Sequence, residues 1–277
     1  MNITTVLADA KTTIDAIDAE ALLAHVLDKP RSHLRAWPEK ELDAQQLNAF
    51  QQLVTRRTSG EPLAYLTGWR EFWSLLLQVS PATLIPRPDT EVLVEQALAI
   101  IPADADWRIA DLGTGAGAIA LAIASERPRC RLIATDICPE ALEVAQANAR
   151  RLQLNNIEFR QGDWHEALQA DEYFQLVASN PPYIEASDPH LQGDGLPFEP
   201  QQALTPGSDA LAAIRIIIEQ IKPYLAAAGW LLLEHGYDQG AEVRALLHQH
   251  GYIKVNTWRD LGNNERMISA RLDDSNP

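Results

Sequence analysis

"DLGTGAG", Asp111 to Gly117, falls between two apolar runs, "WRIADLG" before it and "AIALAIASER" after it. The first run is short and ends in an acid, as a buried strand does, and the second has the length and composition of a helix. Glycines at 113, 115 and 117 permit a tight turn and let a ligand pack against bare backbone. Ligands of open α/β sheets bind at the carboxyl ends of the strands, where the chain reverses its order. This one turn therefore predicts a fold class and the place of a site. The spacing is G-x-G-x-G, not the G-x-G-x-x-G of the dinucleotide fingerprint, and no lysine follows it. It is not a phosphate-cradling loop.

Reading outward, the pattern from residue 107 alternates. After that first strand and helix come the strand "RLIATD", the helix "PEALEVAQANARRL" and the strands "IEFRQGD" and "YFQLVASN". Beyond a long loop follow the helix "DALAAIRIIIEQI", the strand "GWLLLEHG" and the helix "GAEVRALLHQH". Two last strands, "IKVNTW" and "RMISARL", join through Gly262-Asn263-Asn264 and predict an antiparallel hairpin at one edge. The whole predicts a doubly wound, seven-stranded, mostly parallel sheet covered by helices on both faces.

Residues 1–61 read differently. Leu22, Leu23, Val26 and Leu27 form one apolar stripe and Leu47, Phe50, Leu53 and Val54 another, with Asp18 and Asp43 as N-caps and Gly60 as a C-cap residue. They predict a small helical bundle. Residues 62–85, with "PLAYLTGWREFWSLLLQVS", read as a β-hairpin linker bent at Gly68. Pro86 and Pro88 hold the chain extended before Asp89 caps a new helix, and residues 86–277 form the α/β domain.

The chain has 277 residues and a formal net charge of −15. An acidic chain neutralises phosphates poorly unless its basic residues cluster, and Arg56-Arg57 and Arg150-Arg151 are too short for that, so nucleic acid is a disfavoured partner. No apolar run approaches the roughly 18 to 20 residues that span a bilayer. The N-terminus lacks a basic start and an apolar core, and the two cysteines, Cys130 and Cys138, make no disulfide framework and no C-x-x-C motif. A reduced, cytoplasmic protein without membrane attachment is expected. The seven histidines are scattered and form no metal-ligand set, so no metal is expected.

Two further acids end strands on the same rim. Asp136 closes the second strand, where a carboxylate suits ribose hydroxyls, and Asp163 closes the third, suited to an adenine amino group, with Trp164 to cover a ring. Three successive strand ends with acids, and no phosphate grip, predict an adenosyl ligand without phosphates.

The fourth strand ends in "SNPPYIE", Ser179 to Glu185. The prolines stiffen a corner in which the side-chain oxygen of Asn180 and the carbonyl of Pro181 can face outward together. Two acceptors held in a plane match the two hydrogens of a planar NH2, and Tyr183 can lie flat against that group. The corner is a receptor for an amide or an aromatic amine. An amide nitrogen is a poor nucleophile because its lone pair is delocalised. Holding both hydrogens favours a more pyramidal nitrogen aimed at an electrophile, and such orientation supplies roughly 7 to 11 kcal/mol. Glu234 and His235, ending "LLLEHG", read as structural groups near the rim.

Together "DLGTGAG", Asp136, "GDW" and "NPPY" resemble the N-methylating class I S-adenosylmethionine-dependent methyltransferases. The helical N-terminal region, "REFW", "SPATLIPRPDTE", "NPPYIE", "FEP" and "LLLEHG" extend the resemblance over almost the whole chain. They are similar to the bacterial protein-(glutamine-N5) methyltransferases that modify peptide chain release factors. "NPPY" alone is less specific, because adenine-N6 DNA methyltransferases share it. The resemblance implies S-adenosyl-L-methionine as cofactor and a class-1 release factor as partner, methylated on the glutamine of its Gly-Gly-Gln loop. It implies cofactor contacts from Gly113, Thr114, Gly115, Ala116, Gly117, Asp136, Asp163, Trp164 and Asn180, and glutamine contacts from Asn180, Pro181, Pro182 and Tyr183. Asn180, Pro181 and Tyr183 carry the catalytic role. Ala116 departs from the hydroxyl residue expected there, which matters little where backbone makes the contact. Phe198 and Glu199, in the irregular loop 184–207, are further candidates for positioning substrate. Rival readings are a ribosomal-protein glutamine methyltransferase, a nucleic-acid adenine methyltransferase, which needs a basic groove, and a silent cofactor-sensing adaptor, which needs no NH2 receptor.

Overall fold

A computed structural model describes residues 1–193 and 195–273. The chain divides into two compact units, Met1–Trp69 with Gln192–Phe198, and Arg70–Leu191 with the residues from Glu199 onward.

The first unit holds α1 (Ile3–Ala10), α2 (Ala16–Leu27), α3 (Arg31–Ala36), α4 (Ala44–Thr58) and α5 (Leu63–Thr67). Its core is Ile3, Val6, Leu22, Leu23, Phe50 and Leu66, so both predicted stripes face inward. Asp43 caps α4 in a reciprocal box: it accepts from the Gln46 N–H at 2.8 Å while its own N–H donates to Gln46 Oε1 at 3.1 Å. Such a cap stabilises a helix by about 1 kcal/mol. Gly60 lies just beyond the α4 cap residue Ser59 with φ +96°, a conformation that favours glycine. Asp18 is not a cap. Helix α2 begins after Asp15, and the Asp18 carboxylate in its first turn accepts from Arg57 Nε at 2.6 Å.

The expected hairpin is displaced. "LAYLT" forms α5, and Gly68, at φ +79°, ends that helix instead of bending a hairpin. The hairpin is β1 (Trp69–Phe72) and β2 (Leu75–Gln78), turning at Trp73-Ser74 with φ of +51° and +57°. Two positive φ values match the twist of a tight hairpin, but the residues that ordinarily mark such a turn are Asn and Gly. Here two other contacts hold it: the Trp73 N–H donates to Glu91 at 2.9 Å and its indole N–H to Glu126 at 3.1 Å.

The second unit continues with α6 (Glu91–Ile100), β3 (Arg108–Leu112), α7 (Ala118–Glu126), β4 (Arg131–Asp136), α8 (Pro139–Leu152), β5 (Ile157–Gln161) and β6 (Phe174–Ser179). Then come α9 (Gln201–Leu204), α10 (Ala212–Gln220), β7 (Leu225–Glu234), α11 (Gly240–Gln249), β8 (Tyr252–Arg259) and β9 (Glu265–Leu272). The seven strands lie in the order β5-β4-β3-β6-β7-β9-β8. The first five run parallel, and β9 is antiparallel to both its neighbours. This is the class I methyltransferase architecture. Asp89 does not cap α6. It sits within a 3-10 turn, Pro88–Thr90, and pairs with Arg266 at 3.4 Å.

Strand alternation builds two cores. Leu231 and Leu233 pack with Ile214, Ile217 and Val243 on one face, while Leu232 packs with Leu93, Ala120 and Ile123 on the other. Full burial of one such leucine is worth about 1.5 to 3 kcal/mol. The chain goes from β3 outward to β4 and β5, then returns to place β6 on the other side of β3. That reversal opens a crevice between the ends of β3 and β6. The Ser179 hydroxyl donates across it to the Leu112 carbonyl at 2.7 Å, fixing the two strand ends together. Among the described residues no helix is long and apolar enough to cross a membrane, and no group of His, Cys, Asp and Glu is arranged to hold a metal ion.

Candidate active site

A cleft lies over these strand ends. Gly113, Thr114, Gly115, Ala116, Asp136, Asp163, Trp164, Asn180 and Pro182 all line it. Gly117, Pro181 and Tyr183 do not, and each is next in the chain to a residue that does.

Backbone hydrogen bonds hold the glycine turn, one to β4 and one within the turn. The Thr114 N–H donates to the Thr135 carbonyl at 2.8 Å, and the Gly117 N–H returns to the Thr114 carbonyl at 2.8 Å. Gly113 has φ +72°, and a Cβ there would lie 3.2 Å from the Trp164 indole. Gly115 faces open space. Gly117 opens α7, where a Cβ would meet Leu121 at 2.8 Å. One glycine admits the indole, one leaves the floor bare, and one lets the helix pack.

Beneath this floor Asp111 is wholly buried. Its Oδ2 accepts from the Thr114 hydroxyl at 2.6 Å and the Ala120 N–H at 3.1 Å, while Oδ1 has no partner among the described residues. Burial pushes its carboxyl up to about 7, against the opposing pull of those two donors. Asp136 accepts from the Gly115 N–H at 2.8 Å and the Cys138 N–H at 2.9 Å, so it braces the turn from the next strand. Burial raises its carboxyl too, partly offset by those N–H groups. Asp163 is exposed, and Trp164 holds φ +44° beside Gly113.

The opposite wall is made of side chains far apart in sequence. Asn180 Nδ2 donates to Thr90 Oγ1 at 3.2 Å, and the Thr90 hydroxyl donates to Glu234 Oε2 at 2.6 Å. The Tyr183 hydroxyl donates to Glu234 Oε1 at 3.0 Å, and Gln239 Nε2 holds the Tyr183 carbonyl at 2.9 Å. Glu234 is almost completely buried, and burial pushes it up to about 7 although Thr90, Tyr183 and Arg266 favour its charged form. Burial and the Glu234 charge raise the Tyr183 phenol well above its ordinary value. It is a neutral donor, not a base.

Thr90, Glu234 and Asn148, like Gln239, were not among the residues predicted for the site. Thr90 lay within a stretch read only as a helix start. Glu234 does lie near the rim, but its hydrogen bonds reach both Tyr183 and the residue that holds Asn180. Asn148, on α8, is buried and joins β2 to the glycine turn, donating to the Gln78 carbonyl at 2.9 Å and the Ala116 carbonyl at 3.0 Å. Glu199 is also buried: it accepts from the Ile85 N–H at 3.0 Å and pairs with Arg87, holding a segment that lines the cleft. Phe198 is exposed and belongs to the other unit.

Comparison with known proteins bears on this geometry. Residues 103–272 match the methyltransferase domain family, and residues 2–68 match the PrmC N-terminal domain. The release factor glutamine methyltransferase of Escherichia coli is 53% identical over 254 residues, spanning 92% of this chain and 91% of that protein. The chain belongs to the release factor glutamine methyltransferase family. The enzyme of the same name from Aliivibrio fischeri is 49% identical over 251 residues, 91% of this chain and 88% of that one. Among solved structures, a methyltransferase from Pyrococcus furiosus superposes with a TM-score of 0.54 at 15% identity, covering 79% of this chain and 97% of that one, a likeness of fold. As a member of this family the chain is an S-adenosylmethionine-dependent methyltransferase.

Proposed function

We propose that the enzyme transfers a methyl group from S-adenosyl-L-methionine to the side-chain amide nitrogen, N5, of the glutamine in the Gly-Gly-Gln motif of class-1 peptide chain release factors. The observation that carries this reading is the state of Asn180. One N–H of its amide is given to Thr90, and its Oδ1 remains as an acceptor with no donor among the described residues. A receptor with an acceptor left over is what a planar NH2 requires.

The cleft fits the cofactor. Gly115 leaves bare backbone on the floor, and Asp136 keeps a free lone pair on each oxygen for ribose hydroxyls after bracing the turn. Arg87, the arginine lining the cleft, is occupied by the buried Glu199 instead of awaiting a phosphate. Gly113 to Gly117, Asp136, Asp163 and Trp164 would hold the nucleoside. When bound, the sulfonium supplies an electrophilic methyl group. The chain's own part is to orient the nucleophile. Asn180 Oδ1 and the Pro181 carbonyl accept the two amide hydrogens, and Pro182 and Tyr183 press on the amide plane. Tyr183 can do so because Glu234 and Gln239 hold both ends of it. Acceptors at that position stabilise the positive charge developing on nitrogen, and the methylated amide, then strongly acidic, releases one of its N–H protons to solvent.

Residues 1–61 carry no chemical motif, and their proposed role is to dock the protein substrate. A net charge of −15 disfavours nucleic acid as that substrate, and a cytoplasmic site of action accords with a ribosomal partner. To test the assignment, labelled methyl donor is offered with release factor, ribosomal protein and DNA in parallel. The expected result is label on a single release-factor glutamine, lost when that residue becomes Glu. Label on adenine, or on the ribosomal protein alone, would overturn it.

A further inference from the structure

We infer that Thr90 and Glu234 are positioning residues for the transfer: through a one-way chain of hydrogen bonds they dictate which end of the Asn180 amide faces the substrate. The inference rests on the reading of the Asn180 corner given above, and it adds the device that orients that corner.

An asparagine side chain is nearly symmetric in shape, with an oxygen and an NH2 that can exchange places by rotation about its last bond. A corner that must accept hydrogens from an amide NH2 works in only one of the two orientations. In the other, two NH2 groups face each other and neither finds an acceptor. Nothing in "NPPY" itself selects the productive one, so the choice must come from whatever touches the other end of the Asn180 amide.

That contact is Thr90 Oγ1, at 3.2 Å, and Thr90 is buried. A hydroxyl has one proton to give. Here it goes to Glu234 Oε2 at 2.6 Å. With its proton committed, Thr90 can only accept, and only the NH2 end of Asn180 can satisfy it. The oxygen is thereby turned toward the cleft. The direction of the chain starts at Glu234, which takes donors on both oxygens, from Thr90 and from Tyr183. Burial pushes the Glu234 carboxyl up to about 7, while Thr90, Tyr183 and Arg266, on β9, favour its charged form and Asp89 opposes them. Asp89 and Asp260 in turn share Arg266, at 3.4 and 3.3 Å.

The same carboxylate thus serves both halves of the receptor. One oxygen fixes the amide acceptor through Thr90, and the other fixes the ring of Tyr183. The residues come from the 3-10 turn before α6, the end of β6 and the end of β7, so the corner has its geometry only when the sheet is assembled.

Thr90→Val tests this, since valine keeps the shape and the branching but can neither accept from Asn180 nor donate to Glu234. The expected result is a kcat at least about tenfold lower, equivalent to about 1.4 kcal/mol. Cofactor affinity and melting temperature should stay near wild type. Thr90→Ser restores the hydroxyl and should recover kcat to within about threefold of wild type. A general loss of structure would move cofactor affinity and melting temperature and would not be rescued by serine. With Asn180→Ala measured alongside and inactive, a Thr90→Val enzyme at the wild-type rate would overturn the inference and leave the corner's role standing. So would a Thr90→Ser enzyme as slow as Thr90→Val. If Asn180→Ala itself keeps full turnover, the reading of the corner falls, and this inference falls with it.

Discussion

The two walls of the cleft solve the same task by opposite means. The glycine wall is one contiguous stretch, Asp111 to Gly117, braced from outside by Thr135 and Asp136 on β4 and by Asn148 on α8. The asparagine wall has Thr90 and Asn180 at the cleft and Tyr183, Glu234 and Gln239 behind them, with hydrogen bonds that span sequence separations from 51 to 144 residues. Each wall buries one carboxyl that is pushed up to about 7. Asp111 uses one oxygen and leaves the other unpartnered, whereas Glu234 uses both. On the function proposed above, the first braces a loop that would hold the cofactor and the second orders side chains that would face the substrate. That reading separates binding from turnover, and three substitutions can break the separation.

The largest effect belongs to the asparagine wall. Asn180→Ala removes one acceptor for the target NH2 and should lower kcat by more than about 100-fold, or about 2.7 kcal/mol, while much of the cofactor affinity remains. Turnover within about tenfold of wild type would mean that the wall does not orient the nucleophile.

On the glycine wall, Asp136→Ala should act on binding. It removes the acceptor of the Gly115 and Cys138 N–H groups and the partner offered to the ribose. Hydrogen bonds to a charged group are worth about 1.5 to 3 kcal/mol, so the cofactor Kd should rise about 10- to 100-fold by calorimetry, with a smaller change in kcat at saturation. An unchanged Kd would place the nucleoside elsewhere.

The subtlest test sharpens the contrast through pH. Asp111 has a folded-state pKa of about 7, above its ordinary 3.8, so folding favours its neutral form. The stability this contributes is complete below the unfolded value and is lost as pH rises through the folded one. An asparagine in its place would not ionise. Asp111→Asn should therefore gain on wild type by about 2 to 3 kcal/mol in unfolding free energy between about pH 5 and about pH 8. Denaturant titrations at the two pH values read the difference directly. A gap that does not change with pH would mean that Asp111 stays in one protonation state throughout.

The hairpin marks one limit of local signals. Trp73-Ser74 turns at positive φ because Glu91 and Glu126 hold it, and neither acid is near it in sequence. Gly68 was the local candidate, and it ends a helix instead. Asp18 and Asp89 fail as caps for a related reason. Each has a distant arginine, Arg57 and Arg266, that a reading of nearby residues cannot place.

What the sequence determined by itself is whatever the chain states over a few consecutive residues. Alternating apolar runs specify a parallel sheet wrapped by helices, because a period of two and a period near four bury different faces. Three glycines after a strand specify a bare turn, because only glycine occupies those backbone angles without strain. Asn followed by two prolines specifies a rigid corner. Tertiary structure alone decided which way that corner points. An asparagine amide has two chemically opposite ends and almost no steric preference between them. The choice depends on a single proton, given by Thr90 to a carboxylate 144 residues further along the chain. Only the folded sheet brings those atoms within hydrogen-bond reach, and only there does burial make the direction of one hydrogen bond matter.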